Sequence, residues 1–428
     1  MRQLQKTWRL ALSLVIMLAA PRLSVAQGAE TVIEWNRILL ASMGTPGVLD
    51  ATVFFTRPPA VMHIAMFEAL NSITPVYTPY LDRVSASADA SPDAAAAQAA
   101  HDVLVSMFPS QQQVYDAALA AQLSRIPSAA AEAGSRVGAA AARAILDLRR
   151  HDGWNRPARE YILPNLPGYW QPVPPQNTPA TFAHYPDVTP FVIGSARQFL
   201  VEAPPSLTSD VYTEDFNEAK ALGSATSTTR TAEQTLIARL FAGVATTTTY
   251  SVPAMWNVLF RDLARAHGLG MLETARFFAL ANMAWHDALF ASFSGKFLYG
   301  LWRPTTAIRE ASRDGNPATE SDPTWVSLLP SPPYPSYPGN YSCGSGALTR
   351  IFERFFGRDN IPFTMTWATP DGSTIGRFYN GFRQLADEAA RSRIYGGIHF
   401  TFDTTASQGV CIPLGDYVFA NVLRPRFP

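Results

Sequence analysis

The stretch from Leu272 to Phe293 (LETARFFALANMAWHDALFASF) is apolar around nearly the whole circumference of a helix, so a helix formed there must be surrounded by other elements. Asn282, His286 and Asp287 interrupt it, which argues against a membrane span and for the central core helix of a bundle. Other segments supply the wrapping. Ala60 to Ser72 (AVMHIAMFEALNS) has apolar residues at helical spacing, and the alanine-rich stretches 94–107 and 129–149 are strong helix formers. Helices resume near Ser209, with Thr231 to Gly243 clear, and two more are predicted at 348–356 and 374–391 before a glycine turn and a last helical segment. Strand patterns are sparse, so the expected fold class is all-α.

Residues 153–206 change character, with prolines and aromatics such as PNLPGYWQPVPPQNTP. A disordered linker would be poor in aromatics, so this segment reads as an ordered, irregular layer over the helices. The expected organisation is a signal peptide at 1–26, an N-terminal helical region at 27–152, a proline-rich irregular segment at 153–208, and a C-terminal helical region at 209–428. No repeat of 20–50 residues signals a solenoid.

The signal reading rests on Arg2, Lys6 and Arg9, the apolar run Leu10 to Ala20, and the small-residue site Ser24-Val25-Ala26. Processing would remove four basic residues, with Arg22 the fourth, and no acidic ones, moving the net charge from 0 to −4. That balance speaks against a nucleic-acid surface. It leaves no integral membrane span, and the expected location is periplasmic or secreted. The two cysteines, Cys343 and Cys411, could pair in an oxidising compartment or stay as buried thiols. No Cys-x-x-Cys or His-Glu-x-x-His pattern points to zinc.

Lys296 is one of two lysines after the signal, the other being Lys220, in a chain that otherwise uses arginine. A compact, strongly hydrated point charge is the physical reason to keep lysine at such a position. It opens Lys296-Phe-Leu-Tyr-Gly-Leu-Trp-Arg303-Pro304, and a helix through both residues would put the two cations on nearly one face, about 10 Å apart along the axis. Pro304 pushes Arg303 away from continued helix, so its guanidinium is expected at a helix end. Downstream lie Tyr337-Pro338-Gly339-Asn340-Tyr341 and Ser392-Arg393-Ile394-Tyr395-Gly396-Gly397-Ile398-His399. One lysine, two arginines and one histidine in that order suggest a pocket for a tetrahedral oxyanion.

Lys-x6-Arg-Pro, then a Pro-Ser-Gly-His-like segment, then Ser-Arg-x5-His resembles the superfamily of vanadium-dependent haloperoxidases and type 2 phosphatidic acid phosphatases. Trp35-Asn36, Met62-His63-Ile64-Ala65-Met66-Phe67-Glu68-Ala69-Leu70-Asn71, Pro167-Gly168-Tyr169-Trp170 and Arg230-Thr231-Ala232-Glu233-Gln234-Thr235 look like the soluble, secreted haloperoxidase-related branch. The resemblance implies a helical-bundle fold that holds vanadate or phosphate. Lys296, Arg303 and Arg393, with Gly339 and Asn340, would bind the oxyanion. His399 would be the axial ligand of vanadium in a peroxidase or the phosphorylated nucleophile in a phosphatase. Hydrogen peroxide with a halide, or a phosphate ester, would be the substrates.

The middle motif departs from the family pattern Tyr-Pro-Ser-Gly-His. Gly339 stands at the serine, Asn340 at the glycine and Tyr341 at the acid/base histidine, and Ser345-Gly346-Ala347 keeps the register. Tyrosine ordinarily titrates near 10, so Tyr341 makes a poor proton shuttle unless the cations lower its pKa. His286, ten residues before Lys296, is read as a core histidine because helical geometry turns it away. His63, His101, His151, His184 and His267 have no motif partner. Asn340-Tyr341-Ser342 is a glycosylation sequon inside the expected pocket, so a bacterial source is expected. Three functions compete at this point: weak peroxide-driven halide oxidation, phosphatase action through phospho-His399, and a non-catalytic oxyanion-binding scaffold.

Overall fold

The computed structural model describes residues 28–46, 48, 54–82, 84–157, 159–243, 251–369 and 373–426. The signal-peptide expectation lies outside them. In chain order the helices are α1 (Glu30–Met43), α2 (Arg57–Ile73), α3 (Pro92–Met107), α4 (Gln112–Leu123), α5 (Ser128–Leu148), α6 (Asp210–Gly223), α7 (Ala232–Ala242), α8 (Ser251–Ala266), α9 (Met271–Tyr299) and α10 (Pro304–Arg309). They continue with α11 (Asn340–Phe356), the hairpin β1 (Phe363–Ala368) and β2 (Thr374–Tyr379), α12 (Phe382–Tyr395) and α13 (Thr401–Asn421). The fold is all-α apart from that hairpin.

The apolar helix is central. α9 packs on α2 along one side and on α11 along the other, joining an N-terminal bundle of α2, α3 and α5 to a C-terminal one of α11, α12 and α13. Every residue from Ala275 to Phe293 is buried, as the absence of a polar stripe requires. Among the described residues no helix is long and apolar enough to cross a membrane. The α3–α5 contact is closest at Gly138, where a β-carbon would fall 2.3 Å from Ala95 O. Alanine and glycine on facing helices permit that approach.

The expected helix over 374–391 is corrected. Its first part is β2, paired antiparallel with β1 in the register Phe363↔Tyr379 to Ala368↔Thr374, and α12 starts only after Gly381. β-branched and aromatic residues (Thr374, Ile375, Phe378, Tyr379) favour the pleated state there, and buried Met365 and Trp367 anchor the hairpin. Arg377 ties β2 to α12 and α7 through Glu388 and Glu233.

Residues 153–206 contain no α-helix or strand among those described, only short 3-10 turns at Tyr185–Asp187 and Ala196–Phe199. Buried charges fasten this layer. Asp287 on α9 accepts from the backbone N–H groups of Phe191, Val192 and Ile193 at 2.6, 2.7 and 2.9 Å. Asp152 accepts from Arg57 Nε and Arg149 Nε, and Arg149 also donates to the carbonyl of Pro190. Three N–H groups that would otherwise lose water are satisfied by one carboxylate. Asp287→Ala leaves them unpaired, so residues 185–193 should become the first site of limited proteolysis and lose amide-exchange protection, with a stability loss of about 3 kcal/mol.

Glu68 on α2 is buried and accepts from Tyr80 N at 2.6 Å. Burial raises its pKa from 4.5 to about 7, against the pull of the Tyr80 and Leu81 amides and Arg426. Between those pH values the folded protein holds a proton that the unfolded chain has released. Stability contributed by this group therefore falls as pH rises from about 4.5 to about 7. The Glu68→Gln variant should lack that decline, so the gap between its denaturation free energy and the parent's should move in its favour by up to about 3 kcal/mol across the window.

Candidate oxyanion site

α9 ends at Gly300, which takes a left-handed conformation (φ +61) and sends its N–H back to Lys296 O. Lys296 therefore sits in the last turn of α9, whereas Arg303 is the extended residue before Pro304 at the start of α10. The shared helix face expected from the seven-residue spacing does not form, because the helix of Lys296 ends first, whereas Arg303 stands at a helix end beside Pro304 as expected. The two cations converge because the chain turns at Gly300, and the proline keeps residue 303 out of the helical region.

Both cations are fully buried, and main-chain carbonyls of two loops answer them. Lys296 Nζ donates to Pro335 O at 2.9 Å and Ser336 O at 2.6 Å. Arg303 Nε donates to Tyr334 O at 2.9 Å, and its Nη1 donates to Ile398 O at 2.7 Å. The Tyr334 ring lies under both, 5.3 Å from Lys296 Nζ and 4.9 Å from Arg303 Cζ.

His399 follows the turn after α12. Gly397 has φ +71, and a β-carbon there would strike Gly223 O at 2.3 Å, so this turn needs glycine against the end of α6. Arg303 Nη1 lies 3.1 Å from His399 Nε2, and His399 Nδ1 lies 2.8 Å from Asp403 Oδ2. Burial and the charges of Arg303, Lys296 and Arg393 hold the imidazole pKa well below its ordinary value, so the ring is neutral. Its partners assign the tautomer: Nδ1–H donates to Asp403, and the Nε2 lone pair accepts from Arg303.

Asp403 was not foreseen in the sequence. It also accepts from Ser336 Oγ and from Phe400 N at 3.1 Å, which pins the loop before α11 to the start of α13. Burial raises its pKa to about 6, opposed by Ser336 and Lys296. The available signal was the four-residue spacing from His399, which on the first turn of a helix faces the same way.

Arg393 closes the set from α12, where its Nε contacts Ser392 Oγ at 3.1 Å. Its Cζ lies 4.5 Å over the Tyr341 ring. Tyr341 stands in the first turn of α11 with its hydroxyl out of solvent, packed edge-on against Phe241. Burial pushes its pKa up to about 12, more than Arg393 and the Trp256 indole bring it down. The cationic pocket does not turn this phenol into a neutral-pH proton shuttle. Gly339, just before the helix, donates to Asp403 O at 3.0 Å, and a β-carbon there would come within 3.3 Å of Ser407 Oγ. Asn340 is half-buried beside the Tyr334 hydroxyl.

Lys296, Arg303, Arg393, His399, Gly339, Asn340 and Tyr341 thus come together, and Asp403, Ser336 and Tyr334 join them. His286 does not. Its Nδ1 faces Thr56 at 3.0 Å, with Tyr185 behind. Cys343 and Cys411 form a disulfide between α11 and α13, two residues beyond Tyr341 and eight beyond Asp403.

Three buried cations face one carboxylate, and burial lowers the pKa of each of the three. Arg303 Nη2, Arg393 Nη2 and Ser342 Oγ are buried with no hydrogen-bond partner among the described residues. Unsatisfied guanidinium N–H groups beside a neutral imidazole lone pair form a donor set suited to an oxyanion.

Residues 276–426 match the profile of the VCPO second helical-bundle domain. Vanadium chloroperoxidase of Curvularia inaequalis is 27% identical over 305 residues, or 54% of this chain and 49% of that protein. The chain thus spans about half the length of the curated relative it matches. A crystal structure described as the first bacterial vanadium-dependent iodoperoxidase superposes with a TM-score of 0.80 at 22% identity, covering 93% of this chain and 98% of that one. A holo-type bacterial vanadium-dependent chloroperoxidase gives 0.67 at 16% identity, covering 90% and 96%. These structures share the fold.

Asp403→Asn should replace the acceptor that selects the His399 tautomer with an amide that can turn either its oxygen or its N–H2 toward Nδ1. Nitrogen NMR of the imidazole should report the Nδ1–H form in the parent and a mixture in the variant, with about 1–3 kcal/mol of stability lost. An unchanged tautomer would mean that Arg303 alone orients the ring.

Proposed function

The chain belongs to the vanadium haloperoxidase superfamily, and we propose that the cation cluster around His399 binds vanadate and supports slow oxidation of halide by hydrogen peroxide. The observation that carries this reading is the pair of buried guanidinium Nη2 groups, on Arg303 and Arg393, with no acceptor among the described residues. Lys296, Arg303 and Arg393 would neutralise the oxyanion, and His399 Nε2 would supply the nitrogen ligand. Bound vanadate supplies a Lewis acid that activates hydrogen peroxide toward halide.

The remaining work falls to the protein. Asp403 keeps the proton on His399 Nδ1, so the other nitrogen offers its lone pair. The carbonyls of residues 334–336 hold Lys296 Nζ and Arg303 Nε in place before any anion arrives, so the reorganisation needed on binding is the release of His399 Nε2 by Arg303 Nη1. Tyr341 can donate a hydrogen bond, but at about 12 its pKa is far from the optimum for proton exchange near neutrality. Turnover should accordingly be slow. Export belongs to the same reading, since the basic-apolar-small start and the Cys343–Cys411 bridge both suit an oxidising compartment.

The His399–Asp403 pair favours one second reading, hydrolysis of a phosphate ester. In that reaction Nε2 would attack phosphorus as the ester P–O bond breaks, and water would then cleave the phosphohistidine. Without a good proton donor, esters with stable leaving groups would react best.

The deciding experiment is calorimetric titration of the folded protein with orthovanadate and with phosphate, followed by assays of iodide oxidation by peroxide and of aryl phosphate hydrolysis. Vanadate should bind, and Lys296→Ala, Arg393→Gln and His399→Ala should each weaken it while circular dichroism shows the fold retained. Tyr341→His should raise turnover by about 10²-fold or more. Absence of binding by either anion would overturn the proposal. Binding with ester hydrolysis but no halide oxidation would select the phosphatase reading.

A further inference from the structure

A second concavity, of about 580 Å³, lies against α13 and is separate in its lining from the cation cluster. Tyr337 and Phe402 form part of its wall, their ring centroids 6.1 Å apart, and Val201 and Val410 extend the apolar surface. Tyr337 and Phe402 are the chain neighbours of Ser336 and Asp403, so the groove is built on the same two segments that hold His399. Its volume falls in the range of small-molecule sites, which combine apolar walls with a few placed polar groups.

The charged side chains among its lining residues are both carboxylates, Glu202 and Asp215. Asp215, on α6, accepts from Phe402 N. Neither carboxylate has an ion-pair partner among the described residues. The nearby Arg391 is engaged by Glu218 at 2.6 Å and donates to Thr401 Oγ1. Burial, with Glu218 and Glu214 adjoining, pushes the Asp215 pKa up to about 6 against the pull of the Phe402 amide and the Arg391 charge, as expected for a half-buried carboxylate without an ion-pair partner. At neutral pH it is mainly ionised. Aliphatic walls backed by two largely buried aromatic rings, with carboxylates that have no ion-pair partner among the described residues, complement one kind of small molecule.

We infer that this groove binds an amphipathic organic amine, its ammonium group held by Asp215 and Glu202 and its apolar body against Tyr337, Phe402 and Val410. An anion would meet like charge. A neutral apolar molecule would leave the carboxylates without a counter-charge. Anion binding at His399 plays no part in this recognition.

Gly409 makes the groove testable without harming the fold. It lines the concavity in the interior of α13, and a β-carbon there would meet nothing within 4 Å. Leucine at that position fills the groove and favours the helix. The experiment is calorimetric titration of the full chain, slightly above neutral pH, with phenethylamine and with its neutral isostere phenethyl alcohol. Saturable amine binding should be about tenfold tighter than alcohol binding and should be lost in Gly409→Leu. Asp215→Asn keeps an acceptor for Phe402 N, and it should weaken the amine about tenfold and erase the preference over the alcohol. Absence of saturable amine binding, equal affinity for the alcohol, or undiminished binding in Gly409→Leu would each overturn the inference.

Discussion

Everything at the heart of this protein follows from burying Lys296 and Arg303. Ion pairing does not compensate them: each charge is met by main-chain carbonyls, those of Tyr334, Pro335 and Ser336 from one loop and that of Ile398 from another. Carbonyl dipoles stabilise a cation but leave its net charge in place. The arrangement therefore fixes both loops to the end of α9 and still leaves an excess of positive charge. That excess makes the cluster a receptor for an anion, and the carbonyl contacts make the receptor rigid before the anion arrives.

Asp403 resolves the competition at His399. Three neighbouring cations would repel an imidazolium, so the ring is neutral, and a neutral ring needs one donor and one acceptor nitrogen assigned. The carboxylate takes the Nδ1 proton, and Arg303 faces the opposite nitrogen. Since Asp403 also accepts from Ser336, the ring, the loop carrying the carbonyls and the first turn of α13 form one connected unit. The disulfide between α11 and α13 joins the helix bearing Tyr341 to the helix bearing Asp403. The Tyr341 phenol lies against Arg393 within this frame without being activated by it, because desolvation outweighs one guanidinium stacked on its face.

Local pattern served well where burial follows chain periodicity. The all-apolar stretch became the central helix, and the alanine-rich stretches became helices packed tightly on each other and on α2. It failed at residues 374–379, where Ala-, Glu- and Arg-rich sequence downstream drew the expected helix too far forward and the hairpin partner at 363–368 decided the outcome. Between Lys296 and Arg303 it served in part: Pro304 marked Arg303 as lying at a helix end, but the left-handed turn at Gly300 removes the shared helix face that their spacing suggested. The residues of the three motifs were legible by order alone, including the tyrosine where a histidine was expected. Ser336 and Tyr334 were not, since nothing in their local sequence distinguishes a hydroxyl or ring that faces a site from one that does not, and Asp403 was marked only by its four-residue spacing from His399.

By itself, then, the sequence determined the helical class, the irregular proline-rich layer and the identity and order of the cations and the histidine that make the site. These are properties of side-chain type and short-range spacing. Only the tertiary structure decided which groups answer the buried charges, which imidazole nitrogen carries the proton, and that a carboxylate-lined groove backs onto the same loops. Those outcomes depend on contacts between residues up to about two hundred positions apart, such as Phe402 with Asp215. They are settled by where desolvated charges and backbone dipoles meet in space, and no periodicity along the chain records that.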